Sequence, residues 1–413
     1  MRTDTVKLSR SPILGTNRGH TLLGYELCFA GDQTTSDNVA NEVISRSLLT
    51  LGLGRIVGDA RAFIRFEKEM VFDKSVLLLP AESVVMQLGP DCWRDTDIKE
   101  LLPVCRDYRR DGYRMALDEF TLDTDIERLG PLLDLVSFVK MHLAEETEEH
   151  REQIAKILGP HFVHVIATQV NDETERDIAR SAGVQYVQGY YFAKPSIVQG
   201  RDLPGFKVSY MSLLRASQND EIDFRELADI IKHDVALSYK LLRYVNSSAV
   251  GLRGEVESVT QALALMGINQ IRRWAIAATV TGLVGDRPDE LARLCVVRAR
   301  FCEAVADRKR PTMSHDSFTV GMFSLLDVML GQPMEEALID VPMSERARTA
   351  LLTGEGPMAE INRLAIAYEQ GEWEIVERIC NQNGWDQDEL LADYIDALEW
   401  SRGFFSGGEQ DPA

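Results

Sequence analysis

No stretch of this 413-residue chain approaches the roughly 18 consecutive apolar residues that a membrane-spanning helix requires, and the opening MRTDTVKLSRSP lacks the apolar core of a secretion signal. No membrane association is therefore expected, and the chain reads as cytoplasmic. Also missing is any block of Lys or Arg. Acids outnumber bases 65 to 45, for a formal charge of −20. Nucleic-acid binding depends on a clustered basic face that neutralises phosphates, so this balance excludes that class. It suits solubility or a partner with a basic patch. The six cysteines (Cys28, Cys92, Cys105, Cys295, Cys302 and Cys380) show no CxxC or zinc-ribbon spacing. Cys295 and Cys302, seven apart on one helical face, read as core thiols in a reducing compartment.

What is present is enough apolar material, 45% of the chain, for two cores at this length. In the first half, short apolar runs end in polar residues: GYELCFA (24–30), AFIRF (62–66), VVMQL (84–88), ALDEF (116–120), FVKMH (138–142), VIATQV (165–170) and YVQGYYFAKP (186–195). Helical stretches are expected between most of them, near 37–52, 95–112, 126–134, 146–158 and 172–182. This rhythm implies a (β/α)8 barrel, whose chemistry sits at the C-terminal ends of the strands. Beyond Pro195 the period becomes helical almost throughout, as in 223–246, 258–284 and 289–307. The expected fold class is α/β followed by all-α, with domains at 1–198 and 199–405, a junction in the loop 196–206, and a disordered tail at 406–413.

GYELCFA, ALDEF, VKMH and QGYYFAKP, in this order, resemble the signature segments of EAL domains, the cyclic di-GMP phosphodiesterase barrels, over nearly all of residues 1–200. The resemblance implies a site with two divalent metals, which need several oxygen ligands converging from separate strands. Glu26 corresponds to the Glu of the name motif, Asp118 and Glu119 to the paired acids, and Lys140 to the catalytic lysine; Gln188 also persists. Other positions depart from the pattern. Arg65 replaces a ligand Asn, Gln87 a ligand Glu and His142 the Asp after the lysine, while Thr168 and Asn171 lie where acids are expected. A guanidinium at Arg65 puts a permanent positive charge where a metal would sit. Ala30 replaces a phosphate-clamping arginine and Ser11 a glutamine, so binding of cyclic di-GMP is expected to be weak or absent. Asp118 and Glu119 are alternatively read as a helix cap or as partners of Arg65. His142 is alternatively read as a transition-metal ligand or as a hydrogen-bonded structural residue.

Residues 200–405 resemble an HDOD domain, a degenerate relative of the HD phosphohydrolases. The likeness is carried by IIKHDVALSYKLLRYVNSSAVG (230–251), SVTQALALMGINQIRRW (258–274) and FTVGMFSLLDVMLGQPMEEAL (318–338). His233 and Asp234 spell HD, but Asp234 is better read as a helix N-cap. The metal pair is expected after GMF, where Ser324 and Leu325 cannot ligate a metal. Asn246, Ser247 and Gly251 read as a helix C-cap and turn. A binding cleft lined by Tyr244, Asn246 and Gln261 is the functional alternative, and Phe404 and Phe405, near the tail, are candidate exposed contacts. Trp373, Trp385, Tyr394 and Trp400 are expected to pack in the core.

These features point to a signalling protein without catalysis and without a cofactor, acting through protein partners. The alternatives are a phosphodiesterase using Mg or Mn and a receptor that binds cyclic di-GMP without hydrolysing it. A homodimer is possible on the resemblance, through the barrel segment 121–128 or the helical module.

Overall fold

The computed structural model describes residues 7–17, 20–30, 52–121, 126–142, 148–194, 207–218, 223–247, 250, 256–283, 288–339 and 341–405. The chain divides into two compact units, residues 1–194 with 369–371, and residues 195–368 with 372–413. The junction 196–206, Gly251, most of the expected helix 37–52, part of the segment 121–128 and the tail 406–413 lie outside the described residues. No helix among the described residues is long and apolar enough to cross a membrane.

The first unit is a closed barrel in sequential order: β1 Lys7–Gly15, β2 Leu22–Ala30, β3 Arg61–Phe66, β4 Val84–Leu88, β5 Arg114–Leu117, β6 Phe138–Met141, β7 His164–Ala167 and β8 Tyr186–Gln188. Helices α1 Leu53–Val57, α2 Lys68–Asp73, α3 Pro90–Trp93, α4 Ile98–Arg110, α5 Ile126–Leu133, α6 Glu148–Leu158 and α7 Glu173–Ser181 fall between strands from β2 onward. The regular alternation fails at one place. β1 pairs antiparallel with both β2 and β8, while the remaining neighbours are parallel. The cause is loop length. A parallel return needs a crossover of a dozen or more residues, whereas only six residues separate β1 from β2, whose near ends are joined by Gly15 N–H donating to Thr21 O at 2.8 Å.

Period-two alternation builds the barrel interior in layers. Ile13, Phe63, Val85, Ala116, Phe138 and Ile166 pack together as an apolar layer. Two residues further along their strands stand Arg65, Gln87, Asp118 and Lys140, and Gln188 follows Tyr186 by the same step. The polar residues at the strand ends therefore converge above a sealed apolar floor. Gly189 fixes the end of β8, with φ of 149° and no room for a side chain: a Cβ there would lie 2.1 Å from Val170 O.

The second unit is helical: α8 Lys207–Gln218, α9 Phe224–Lys232, α10 Val235–Val245, α11 Val259–Leu283, α12 Asp289–Lys309, α13 Ser314–Phe323, α14 Leu326–Leu330, α15 Met334–Ala337, α16 Glu345–Thr353, α17 Pro357–Gln370, α18 Trp373–Asn383 and α19 Asp388–Phe405. Leu213, Leu227, Ile231, Leu237, Leu241, Ile271 and Trp274 form one core between α8 and α11. The long α12 packs against α13 and α19. Within α11, Gly267 adopts φ 71° and ψ 163°, which breaks the helix in two. Side chains are essentially barred from that backbone region, which is why the QALALMG segment ends on glycine.

Candidate functional site

The mouth of the barrel holds a closed network centred on Lys140. The ammonium donates to Glu26 Oε1 in a very short contact, to Gln87 Oε1 at 2.9 Å, and lies 3.5 Å from Asp118 Oδ1. Gln87 Nε2 also donates to Glu26 Oε1 at 2.8 Å, and Gln188 Nε2 donates to Glu26 Oε2. Both oxygens of Glu26 are therefore occupied by protein donors. The Lys140 side chain is only 3% exposed. Burial works against its charge, but Glu26 and Asp118 outweigh that penalty and hold its pKa above the ordinary value. Burial likewise pushes the Asp118 carboxyl up, against the attraction of Lys140.

Arg65 lies on the outer side of this network. Its Nη1 is 2.8 Å from Glu119 Oε1 and 3.8 Å from Asp118 Oδ2. Burial opposes its charge, yet the hydrogen bond it donates to Glu119 and the neighbouring carboxylates raise its pKa. This pair is wet, with Arg65 45% and Glu119 58% exposed. Asp118 and Glu119 are thus partners of Arg65, one of the two readings of these acids, but the buried centre of the network is Lys140, whereas Arg65 forms the exposed rim. Glu119 holds φ at 53° and Gln169 at 56°, two left-handed backbones at the ends of the strand loops. Glu119 keeps that turn in place as Arg94 donates to its carbonyl at 3.1 Å and to Thr121 Oγ1 at 2.7 Å, a role for Arg94 that nothing in the sequence signalled.

His142 is half-buried just past β6. Thr168 N–H donates to Met141 O at 2.8 Å, and Asn171 caps its loop through Glu175 at 2.6 Å. Ser11 lies opposite Glu26 in the β1–β2 register, and Ala30 ends β2 opposite Lys7. Three carboxylates, Glu26, Asp118 and Glu119, here face the two cations Lys140 and Arg65, and each oxygen of Glu26 accepts a hydrogen bond from a protein donor. Among the described residues no group of three or more His, Cys, Asp or Glu could hold a metal ion.

In the helical unit Asp234 Oδ1 accepts Leu237 N–H at 3.0 Å, the expected N-cap of α10, while His233 Nδ1 contacts Asp229 O at 2.6 Å. Ser324 is held by a guanidinium: the buried Arg298 donates to Ser324 Oγ at 2.7 Å, and that hydroxyl donates to Gly321 O at 2.8 Å. Leu325 is buried beside it.

The expected cleft of Tyr244, Asn246 and Gln261 is not assembled. Tyr244 is core, 3% exposed and packed against Phe404 with ring centres 4.8 Å apart. Asn246 caps α10 without a left-handed turn, and its amide clamps Val256 through bonds of 2.9 and 2.8 Å, which uses both of its polar atoms. Gln261 is exposed on α11. Phe404 and Phe405 are half-buried, not exposed: Phe404 packs on Trp400 at 4.9 Å and Phe405 under Arg293 at 4.3 Å. Tyr394 is buried as expected, and Trp373 packs edge-on against Tyr368 at 5.3 Å. Cys295 and Cys302 are buried, as expected of core thiols; of the other cysteines Cys92, Cys105 and Cys380 are buried and Cys28 is exposed. The sequence reading also missed a buried ionic hub: Glu303, 3% exposed, bonds Arg273 at 2.6 Å and Arg300 at 2.8 Å, and Arg300 reaches Asp396 at 2.7 Å. Its signal is legible in retrospect as an acid inside the apolar run ARFCEAVA.

The HDOD domain family matches residues 203–381. The cyclic di-GMP phosphodiesterase CdgJ of Vibrio cholerae is 30% identical over 408 residues, covering 96% of this chain and 93% of that protein. The uncharacterized protein YuxH of Bacillus subtilis is 28% identical over 412 residues, covering 96% and 98% respectively. Among solved structures, the EAL enzyme Bd1971 in its cAMP-bound form aligns with 46% of this chain at 16% identity and a TM-score of 0.37, and the alignment spans 62% of that chain, less than two thirds.

Proposed function

Because the chain belongs to the family of two-domain proteins that join an EAL barrel to an HDOD module, we propose that it acts in cyclic di-GMP signalling, and that it does so without catalysis, through contacts with protein partners. The observation that carries the non-catalytic reading is Lys140 seated between Glu26, Gln87 and Asp118, with Arg65 on the remaining acids. Metal-assisted hydrolysis needs carboxylate oxygens free to take hard cations and to present an activated water. Here those oxygens are satisfied by ammonium, guanidinium and amide donors. Cyclic di-GMP binding, on this reading, is weak or absent, and the signal passes through surface recognition.

A second reading, hydrolysis of cyclic di-GMP with Mg or Mn, draws support from the name of the Vibrio cholerae relative and from the retained Glu26, Asp118, Glu119, Lys140 and Gln188. Calorimetry with cyclic di-GMP and Mn²⁺, paired with a turnover assay, separates the readings. The expected result is no turnover, and none after the double restoration Arg65→Asn with Gln87→Glu. Metal-dependent turnover by the native chain, abolished by Glu26→Ala, would overturn the non-catalytic reading. Saturable binding without turnover would instead identify a receptor.

A further inference from the structure

Five cations at helix contacts of the second unit have carboxylates beside them. Arg273, Arg293, Arg300, Arg308 and Lys309 each form an ion pair with Glu303, Glu290, Asp396, Asp393 or Glu389. Lys240 and Arg243, one turn apart on α10, form none among the described residues. Lys240 Nζ reaches only the neutral Thr281 Oγ1, at 3.4 Å, and lies 5.3 Å from the Tyr210 ring centre. Arg243 donates one N–H to Phe404 O at 2.5 Å and sits 5.6 Å from the Tyr239 ring, while its Nε is buried without a partner. The acids that act on Lys240, Asp234 and Asp289, pair with neither cation, and Asp234 is committed to capping Leu237. Burial, and then the Arg243 charge, push the Lys240 pKa down, so the charged pair is costly as it stands.

Like charges at this helical spacing repel, and an unmet buried guanidinium donor is unfavourable. In a chain of net charge −20, with acids in surplus, a cation pair left without a carboxylate is an arrangement that an incoming anion would relieve. Tyr239 stands beside it, 63% exposed, offering a flat apolar face. We propose that Tyr210, Tyr239, Lys240, Arg243 and Thr281 form a binding site for a phosphate monoester, whose two negative charges match the two cations and whose attached group lies on the Tyr239 ring. The site is separate from the barrel mouth and does not depend on the role proposed for it.

The test uses the full chain, titrated with inorganic phosphate and with phenyl phosphate by calorimetry at constant ionic strength set with chloride. Saturable binding of both is expected. Lys240→Gln should weaken both by about tenfold or more, the usual worth of a charge-assisted hydrogen bond. Lys240→Arg, which keeps the charge, should restore most of it and guards against a folding defect in the first variant. Tyr239→Ala should weaken phenyl phosphate more than inorganic phosphate. The proposal is overturned if neither phosphate binds saturably, if Lys240→Gln binds as the native chain does, or if a Glu-rich peptide binds at these residues while both phosphates do not.

Discussion

The barrel mouth and the Ser324 position of the helical unit each occupy the place where the family resemblances put a metal centre, and they have been filled in opposite ways. The barrel keeps its carboxylates and supplies cations to them, with Lys140 buried against Glu26 and Asp118. The helical unit carries no acid at Ser324 or Leu325, and Arg298 is satisfied there by a neutral hydroxyl beside a buried leucine. The difference teaches that retained carboxylates commit a site to permanent counter-charge. A buried acid without metal or cation would bear a heavy desolvation cost, whereas a site stripped of acids can be packed with neutral groups.

Breaking the buried pair should produce the largest effect. Lys140→Met leaves Glu26 and Asp118 without their cation inside the barrel, and should cost about 3–5 kcal/mol in a denaturant titration. Adding Glu26→Gln to it should recover a substantial part of that loss, and a double variant no more stable than the single one would show that the two side chains do not act as a pair. Next comes the pH dependence of the helical unit. The Asp393 carboxyl, buried and bonded to Arg308 at 2.5 Å, is pushed up by burial from its ordinary 3.8 to about 6. Since the folded state holds that proton more tightly than the unfolded chain, its contribution is most favourable below about pH 4 and is lost as pH rises through about 6, by roughly 3 kcal/mol at most. Thermal melts of native and Asp393→Asn chains from pH 4 to 7 should therefore diverge, the native one losing ground as pH rises; parallel curves would remove this residue from the pH response.

The helical counterpart of the lysine experiment should be milder. Ser324→Ala removes the acceptor of one Arg298 N–H and the donor to Gly321 O, and should cost about 1–3 kcal/mol, measurable by urea unfolding. An effect as large as that of Lys140→Met would erase the contrast drawn between the two sites. Smallest of all is Arg65→Ala. Because Arg65 and Glu119 are both largely exposed, the loss should be under about 1 kcal/mol and should shrink further in high salt. A melting temperature that falls as far as for Lys140→Met would place the weight of the cluster on the rim.

Much of the candidate site could be read before any coordinates. Apolar residues two apart along each strand told which side chains face inward, so Arg65, Gln87, Asp118, Lys140 and Gln188 could be assigned to one end of the barrel from position alone. The Asp234 cap was legible too, because it is a local interaction within three residues. The cleft of Tyr244, Asn246 and Gln261 was not, because a helical face does not reveal what another helix lays upon it. Phe404 covers Tyr244 from the far end of the chain, and Asn246 turns to Val256.

The sequence by itself determined the strand and helix periods and the identities of the groups at the barrel mouth and at Ser324, since these depend on side-chain chemistry and short-range spacing. Only the tertiary structure decided which charges meet and how dry they are: Lys140 rather than Arg65 lies buried against Glu26, Arg300 joins Glu303 to Asp396, and Lys240 and Arg243 have no acid beside them among the described residues. Electrostatic strength depends on distance and solvent exposure, and both are set by residues remote in the chain that folding brings together.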